Sequence, residues 1–432
     1  MINIEIKNSR DYIQANVDTQ QILFTLLKLT PLVEKFPTKR SLLSLAIVVD
    51  VSGSMNESYQ GKTKKEYVVD ALSDFFKRSN FSNEDYFSII AFDTNSKVVL
   101  PLTQFTSAEQ TSSSVRELLS IGGGMTAIAS GLDLAVEQLK QSSKKSVKRI
   151  LLFTDGISTV EGDEDKCRSI AARCKDENIV ISPIGVGEEY NEDLLHYIAD
   201  KTCGIPYHLR NIGEFLSKLY EELNFMLTEL VTNVRMELEV PKLISVEEVS
   251  KVTPSYSLVE KKDNGFFLGN ISTSGVSVIL KFGLRKYPPA KIKVCTIKLT
   301  YDVPSMEMFN NTQSYEVWVE STTDAKLYQR IDPEVMKYVQ ASNVTKLIYE
   351  ATQAKDKTIA LEKLTLAKQL TQHLGASSVT KAITDAEKEL QLLGKISPEL
   401  TKHLKTESKT KTLRQKEGSL LSEEDIRKIT GV

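Results

Sequence analysis

Strands and helices alternate in the hydrophobic pattern between about residues 42 and 228. Residues 42–50 are a nearly continuous apolar run, which is typical of a strand buried on both faces, and residues 147–155 are predicted as a later strand. Residues 63–79 and 127–141 carry apolar side chains at helical spacing. Strands that alternate with helices predict a mostly parallel sheet, doubly wound with helices on both faces. We therefore expect an α/β domain over residues 42–228.

The pattern changes after residue 228, where short strands follow one another without intervening helices. In residues 276–284 apolar side chains occupy alternate positions, and Ile279 is the exception on the polar side. This alternation is typical of an antiparallel sheet with one face exposed to solvent. Residues 1–41 show a similar pattern. We predict that residues 1–41 and 229–322 form one antiparallel β-sandwich, with the α/β domain inserted between its two parts.

A helical region is predicted over residues 323–406, as a helical hairpin or bundle. Asp332 and Pro333 form a helix start, with the proline at the first helical position, and Gly375 is placed as a helix stop. Apolar residues between these signals recur at helical spacing. Residues 407–432 begin with a basic, apolar-poor stretch, so we predict a flexible basic tail there.

Composition narrows the class of protein. The chain has 432 residues, and its 55 lysines and arginines nearly balance 57 aspartates and glutamates, leaving a net charge of −2. No overall positive field therefore points to nucleic acid or to an acidic membrane surface. The sequence has no apolar run of the roughly 18–20 residues that a membrane helix needs, no secretory signal and only four scattered cysteines. We expect a cytoplasmic protein with no nucleic-acid or membrane partner.

Three short polar motifs stand at the ends of predicted strands or at a helix start. The first core strand ends in Asp50-Val51-Ser52-Gly53-Ser54, and a later one ends in Thr154-Asp155-Gly156. The glycine run 122–124 leads to Thr126 at a helix start. Open α/β sheets bind ligands at the carboxyl ends of parallel strands, so the three motifs can meet there. Two carboxylates and three hydroxyls are hard oxygen ligands of the kind that suits Mg²⁺.

These motifs resemble the metal-ion-dependent adhesion site (MIDAS) of the von Willebrand factor type A (VWA) domain, in an intracellular protein of bacterial type. That site is written Asp-x-Ser-x-Ser, then Thr, then Asp in a Thr-Asp-Gly turn. Its five positions are matched over residues 42–228 by Asp50, Ser52, Ser54, Thr126 and Asp155. The resemblance implies that the three hydroxyls bind Mg²⁺ directly, with Mn²⁺ or Ca²⁺ as substitutes. The two aspartates would act mostly through coordinated waters.

Such a site favours binding over catalysis. When the direct protein ligands are neutral hydroxyls, the charge of the cation stays only partly compensated. An aspartate or glutamate of a partner protein can then take the open position and form a charge-assisted bond. The resemblance thus implies a non-enzymatic, Mg²⁺-dependent protein-interaction module, with the sandwich and the helices as its frame.

Two other interpretations of the acidic residues remain open. Asp50 and Asp155 can simply cap helices, although capping alone does not explain serines at both 52 and 54. A metal-dependent phosphohydrolase of the haloacid-dehalogenase type also begins with an aspartate after its first strand, but it needs a second carboxylate where this chain has Ser52. The acidic run 161–165 is a poor match for the later acidic pair of that family.

The predicted tail carries one further motif. Residues 402–416 contain six basic residues and one acidic residue, Glu407, which is typical of a solvated connector. The threonines at 410 and 412 also resemble short motifs in bacterial VWA proteins that are associated with Ser/Thr kinases and forkhead-associated phosphopeptide readers. Phosphorylation of Thr410 or Thr412 would add about two negative charges and a docking site. This resemblance implies a scaffold in a kinase and phosphothreonine-reader signalling system.

Overall fold

A computed structural model describes residues 1–37, 41–59, 61–78, 81–143, 145–187, 189–209, 215–262 and 265–413. The chain divides into two compact units. The first, here called the discontinuous unit, contains Met1–Val33, Asn233–Tyr301 and the chain from Asn310 onward. The second, the inserted unit, contains Glu34–Thr232 and Asp302–Phe309. The predicted insertion of one domain within another is confirmed.

The chain begins with three strands of the discontinuous unit: β1 (Ile2–Asn8), β2 (Tyr12–Gln14) and β3 (Gln21–Pro31). The strands of the inserted unit follow: β4 (Leu42–Asp50), β5 (Ser58–Tyr59), β6 (Lys62–Thr63), β7 (Tyr86–Phe92), β8 (Ser96–Gln104), β9 (Ser146–Thr154), β10 (Ile179–Val186) and β11 (Tyr207–Leu209). Its helices are α1 (Lys64–Arg78), α2 (Ala108–Glu117), α3 (Ile128–Lys140), α4 (Asp163–Asp176), α5 (Glu192–Thr202) and α6 (Phe215–Leu227).

Six strands of the inserted unit form one sheet in the order β11-β10-β9-β4-β7-β8. Neighbours pair in parallel except for β8, which runs antiparallel beside β7 at the edge. On β4, Leu45, Ile47 and Val49 pack in one apolar cluster with α1 and α6, whereas Ala46 and Val48 pack in another with α3, α4 and α5. Because both faces of this strand are buried, its apolar run is unbroken, and the predicted doubly wound sheet is confirmed.

A buried ionic network joins this sheet to the last helix of the inserted unit. Arg149 of β9 is 3% exposed, and its guanidinium pairs with Glu222 of α6 at 3.3 Å and with Glu229. The hydroxyls of Ser182 and Tyr207 donate to the two oxygens of Glu222, at 2.6 and 2.7 Å. Both carboxylates are buried, and the Arg149 guanidinium places a positive charge beside each of them.

The remaining strands are β12 (Glu229–Glu239), β13 (Ile244–Thr253), β14 (Ser257–Leu258), β15 (Lys261–Lys262), β16 (Gly265–Ser272), β17 (Val276–Leu284), β18 (Ala290–Val303) and β19 (Met308–Thr322). They form two sheets together with β1 to β3. The first sheet, β1-β3-β17-β13-β14, is antiparallel throughout. The second is β15-β16-β12-β18-β19-β2, and its edge strand β2 pairs with β19 in parallel, which differs from the predicted antiparallel arrangement. Strands from both ends of the unit thus share its sheets, as predicted.

Strand β17 is buried on both faces, whereas the sequence predicts one face exposed to solvent. Ile279 packs with Phe24 and Leu26 of β3 in an apolar cluster that is built mainly from helices. Ser277, two positions before it, is 7% exposed. Helices rather than water cover this face, which explains why the alternation of polar and apolar residues breaks at Ile279.

The last described helices are α7 (Ala325–Tyr328), α8 (Pro333–Gln353), α9 (Lys357–His373), α10 (Ser377–Leu393) and α11 (Pro398–Lys411). The Asp332 side chain caps α8 by accepting a hydrogen bond from the Val335 amide, and Pro333 is the first residue of that helix. Gly375 follows α9 with a φ of 68°, so the predicted start and stop signals are confirmed. Among the described residues, none of the helices has the length and apolar character needed to cross a membrane.

Helix α11 corrects the predicted start of the flexible tail. It runs to Lys411, so residues 407–411 are helical. Thr410 and Thr412 are 9% and 6% exposed, and their hydroxyls donate to backbone carbonyls four residues earlier. Few apolar residues mark this helix in the sequence, but tertiary packing orders it, since the Tyr256 amide donates to the Lys409 carbonyl at 2.8 Å. The rest of the predicted tail, residues 414–432, lies outside the described residues.

We predict that Arg149→Leu lowers the free energy of unfolding by about 3–5 kcal/mol, because it removes the buried guanidinium that pairs with two buried carboxylates. Urea denaturation followed by circular dichroism measures the change. Arg173→Leu is the matched control, since Arg173 pairs with Asp133 where both side chains are more than a third exposed. That loss is expected to cost less than about 1 kcal/mol. Equal stabilities of the two variants would contradict the prediction.

Candidate metal centre

Strands β4 and β9 are parallel neighbours, and their carboxyl ends bring two of the predicted motifs together. Val49 pairs with Phe153, so Asp50 at the end of β4 lies beside Thr154 at the end of β9. The Thr154 hydroxyl donates to Asp50 Oδ2 at 2.7 Å, and the Ser52 amide donates to Asp50 Oδ1 at 2.9 Å. Both oxygens of this carboxylate are therefore held by residues of the two motifs.

A chain of hydrogen bonds links the first motif to Asp155. Ser52 Oγ lies 3.2 Å from Ser54 Oγ, and the Ser54 hydroxyl donates to Asp155 Oδ1 at 2.8 Å. Because Ser54 gives its single proton to Asp155, Ser52 is the donor in the serine pair. The other oxygen of Asp155, Oδ2, accepts a hydrogen bond from the Lys64 ammonium at 2.8 Å. Four of the predicted site residues thus form one continuous polar cluster.

The glycine run docks the second motif against the first. The Gly123 amide donates to the Val51 carbonyl at 2.9 Å, and the Gly53 amide donates to the Gly124 carbonyl at 3.0 Å. A Cβ on Gly122 would lie 2.0 Å from the Val51 carbonyl oxygen, and the φ of Gly122 is +97°. This close approach of two backbones requires glycine.

Thr126 faces the same space as Ser54. A Cβ built on Gly156 would lie 3.5 Å from Thr126 Oγ1 and 3.8 Å from Ser54 Oγ, so both hydroxyls border the position just above Gly156. The Thr159 hydroxyl accepts a hydrogen bond from the Thr126 amide at 2.9 Å and fixes the threonine there. All five predicted site residues therefore come together: Asp50, Ser52, Ser54, Thr126 and Asp155.

The two carboxylates of this cluster are buried, with Asp50 0% and Asp155 1% exposed. Burial raises the pKa of Asp50 to about 6, the hydrogen bonds from Ser52 and Thr154 oppose that rise, and the charge of Asp155 adds to it. The cluster thus holds negative charge that its own hydrogen bonds compensate only in part. A divalent cation would supply the missing compensation and would compete with the proton on Asp50.

The donor set fits a hard divalent cation, since it consists of carboxylate and hydroxyl oxygens. Within the described part of the chain, no group of three or more His, Cys, Asp or Glu side chains is arranged to hold a metal ion. An ion at this cluster would therefore depend on the serine and threonine hydroxyls as much as on the two aspartates. The assignment of the five residues as metal ligands stays a prediction.

Two further acidic residues support the cluster, and the sequence reasoning missed their roles. Asp93 directly follows β7 and accepts a hydrogen bond from the Gly124 amide at 3.2 Å; its position at the carboxyl end of a parallel strand could have indicated it. Asp163, in the acidic run 161–165, is 3% exposed and accepts hydrogen bonds from the Ala129 amide at 3.1 Å and from the Ser158 hydroxyl at 2.6 Å. It caps the start of α3, which the adjoining Ala127 cannot do.

Lys64 is the third residue that the sequence reasoning missed. It is the first residue of α1, and its side chain is 16% exposed. The sequence around it contains three lysines within four positions, at 62, 64 and 65, so composition alone does not distinguish the one that reaches Asp155.

Residues 44–222 match the family model of the von Willebrand factor type A domain. The chain contains a VWA domain. A curated but uncharacterised protein from Synechocystis sp. is 27% identical over 280 residues, which are 63% of this chain and 64% of that protein. The chain thus spans less than two thirds of the length of this relative.

Two solved structures share the fold over almost the whole chain. A von Willebrand factor type A structure from Catenulispora acidiphila has a TM-score of 0.76 at 17% identity, and the likeness covers 95% of this chain and 96% of that one. The ArnB paralog VWA2 from Sulfolobus acidocaldarius has a TM-score of 0.57 at 15% identity and covers 96% and 100% of the two chains. At these identities the likeness shows the fold alone, and that fold extends well beyond the VWA domain.

The raised pKa of Asp50 predicts a pH dependence of stability in the metal-free protein. Between about pH 4 and 6 folded Asp50 keeps a proton that the unfolded chain releases, so raising the pH through this window removes about 3 kcal/mol of stability. Asp50→Asn cannot ionise, and it should lack this loss and exceed the wild type in stability at pH 7. Urea denaturation in EDTA at several pH values measures both slopes. Asp70→Asn, which alters a carboxylate that is 61% exposed, should keep the wild-type slope. A wild-type slope in Asp50→Asn would refute the prediction.

Proposed function

We propose that this protein is a non-enzymatic interaction module whose VWA domain binds Mg²⁺ and uses the ion to hold an aspartate or glutamate of a partner protein. The VWA domain is known as a metal-dependent protein-interaction module, which supports the proposal. The observation that carries it is the hydrogen-bonded cluster from Asp50 through Ser52 and Ser54 to Asp155, with Thr126 facing the same space. Mn²⁺ or Ca²⁺ would substitute for Mg²⁺ at such oxygen ligands.

The chemistry of the donors accounts for the choice of a carboxylate partner. Ser52, Ser54 and Thr126 would contact the ion through neutral hydroxyls, while Asp50 and Asp155 would orient those hydroxyls and coordinated waters. An ion held in this way keeps a net positive charge and an open coordination position. A carboxylate from another protein supplies both a ligand and charge compensation.

The rim of the cluster adds an apolar component to this recognition. Met125 and Ile157, the residues next to Thr126 and Gly156, are 49% and 51% exposed. Large apolar side chains exposed beside a polar site are typical of binding surfaces. We therefore expect a partner that presents an acidic residue with an apolar side chain close to it.

A metal-dependent phosphohydrolase remains the alternative from another functional class. It would need a second carboxylate at the position of Ser52, and the acidic run 161–165 would have to supply a further pair. The carboxylate of Asp163 already caps α3 and accepts from the Ser158 hydroxyl, so the most buried acid of that run has a structural role. These placements favour binding over phosphate chemistry.

A scaffold role in a Ser/Thr kinase system also stays a proposal, and it carries a structural requirement. Thr410 and Thr412 are almost fully buried, with hydroxyls bonded to the backbone of α11. A kinase or a phosphothreonine reader would reach them only after the end of this helix opens. The proposed cytoplasmic location suits either role.

The metal site is tested by calorimetric titration of Mg²⁺ and Mn²⁺ into the wild type and into Ser52→Ala/Ser54→Ala. We expect binding by the wild type and a loss of at least about 100-fold in the variant, because two of the direct ligands are removed. Ser272→Ala/Ser274→Ala is the matched control, since these serines have the same spacing and their hydroxyls lie 2.7 Å apart in the other unit. Absence of divalent-ion binding by the folded wild type would sink the proposal.

The partner chemistry is tested by selection from a random peptide library in Mg²⁺ and again in EDTA. Peptides selected in Mg²⁺ should share an acidic residue beside an apolar one and should lose binding in EDTA. Ile157→Glu should weaken a selected peptide at least about tenfold, through lost apolar contact and like-charge repulsion, and should leave Mg²⁺ binding in place. Ile359→Glu, at a position 50% exposed on α9, is the control and should change neither. Selected peptides without an acidic residue would contradict the proposed partner.

A further inference from the structure

The geometry points to Lys64 as the residue that supplies positive charge to the cluster when no metal ion is bound. This inference rests on the proposed metal function and adds that the Lys64 ammonium competes with the divalent ion for Asp155. We propose that the Lys64 ammonium neutralises Asp155 when no divalent ion is bound, and that it shifts onto Glu57 alone when an ion binds.

The first observation is the position of the ammonium between two carboxylates. Lys64 Nζ lies 2.8 Å from Asp155 Oδ2 and 2.9 Å from Glu57 Oε2. The Asp155 side chain is 0% exposed, whereas that of Glu57 is 60% exposed. The ammonium thus touches one acceptor inside the cluster and one at the surface at the same time, and a small rotation of its flexible stem can release Asp155 while keeping Glu57.

The second observation is that the backbone holds Lys64 and Glu57 together. The Lys64 amide donates to the Glu57 carbonyl at 3.2 Å, and the short strands β5 and β6 pair between these two residues. Glu57 therefore stays within reach of the ammonium whichever carboxylate it contacts. The ammonium of the neighbouring Lys65 donates instead to the Ile121 carbonyl, 3.0 Å away. Of these two adjacent lysines, Lys64 is therefore the one that contacts Asp155 and Glu57.

Electrostatics makes the two cations mutually exclusive at Asp155. An ammonium in direct contact with this carboxylate lies within a few ångströms of any ion that shares the cluster, and two positive charges at that range in a largely buried site repel strongly. Without either cation, the buried Asp155 charge would keep the hydrogen bond from the Ser54 hydroxyl but would lose its compensating positive charge, which is costly. Lys64 thus keeps the metal-free cluster folded and lowers the affinity for the ion by the same contact.

The test compares divalent-ion binding and thermal stability in the full chain of the wild type and of Lys64→Met. Without metal, Lys64→Met should melt at a lower temperature than the wild type. It should bind Mg²⁺ and Mn²⁺ about tenfold more tightly by calorimetry, and Mg²⁺ should raise its melting temperature by more than it does in the wild type. Lys62→Met is the matched control, because Lys62 stands on the same hairpin but pairs with Asp70 at the surface, where both side chains are more than half exposed. That variant should match the wild type in both measurements.

A second variant keeps the inference testable if Lys64→Met folds poorly. Glu57→Gln removes the negative charge at the surface position, so it should weaken metal binding by holding Lys64 on Asp155. In a double-mutant cycle with Lys64→Gln, most of the effect of Glu57→Gln on metal affinity should disappear, because that effect acts through the Lys64 ammonium, which is then absent. A Glu57→Gln effect of unchanged size in that background would show general electrostatics and overturn the inference.

The outcomes separate this inference from the function on which it rests. If the wild type binds Mg²⁺ and Lys64→Met binds it equally or more weakly, Lys64 is not a competitor and the proposed metal function stands. If neither binds a divalent ion, both ideas fall.

Discussion

Two carboxylates buried side by side, Asp50 and Asp155, impose the constraint around which the carboxyl edge of the inserted sheet is organised. Buried negative charge is costly, so each oxygen needs a donor or a cation. Thr154 and the Ser52 amide serve Asp50, while Ser54 and Lys64 serve Asp155. The glycine run docks against the first motif through two backbone hydrogen bonds. The raised pKa of Asp50 indicates that this compensation is incomplete, and stability and ion affinity are therefore linked at one place.

The same sheet contains a second buried ionic cluster, centred on Arg149, whose positive charge belongs to a fixed side chain. Arg149 pairs with Glu222 and Glu229 within the protein, and the hydroxyls of Ser182 and Tyr207 donate to Glu222. That network contains its own cation on a guanidinium that cannot lose its charge, so it acts as a permanent brace between strands and helix. At the candidate metal centre, by contrast, Asp155 pairs with the flexible side chain of Lys64, which we propose a metal ion replaces. The two clusters therefore differ in their compensating charge, which is fixed in the Arg149 network and, on our proposal, exchangeable in the cluster of Asp50 and Asp155.

Most of the fold follows from periodicity, because buried faces repeat at fixed intervals along a strand or helix. The run 42–50 predicted β4 because both of its faces are covered, and the caps at Asp332 and Gly375 predicted helix ends because their chemistry is local. Ile279 and the helical residues 407–411 could not be interpreted correctly, since distant elements cover them. At the cluster, motif spacing indicated all five residues that the structure brings together. It could not indicate Lys64, because a long side chain at a helix start can reach several partners, and only the folded structure shows that this one contacts Asp155 and Glu57.

The discontinuous unit has a consequence for the order of events during synthesis. Strand β3 pairs with β17 in a register that joins Gln21 to Leu284, so its central partner is made long after it. Until then, only β1 is available beside β3, and an apolar strand edge stays open on the growing chain. The inserted domain, whose sheet ends at Leu209, can condense in that interval as a unit of its own. Strand β3 therefore meets its central partner only after the whole inserted unit has been synthesised, and this sheet is completed late.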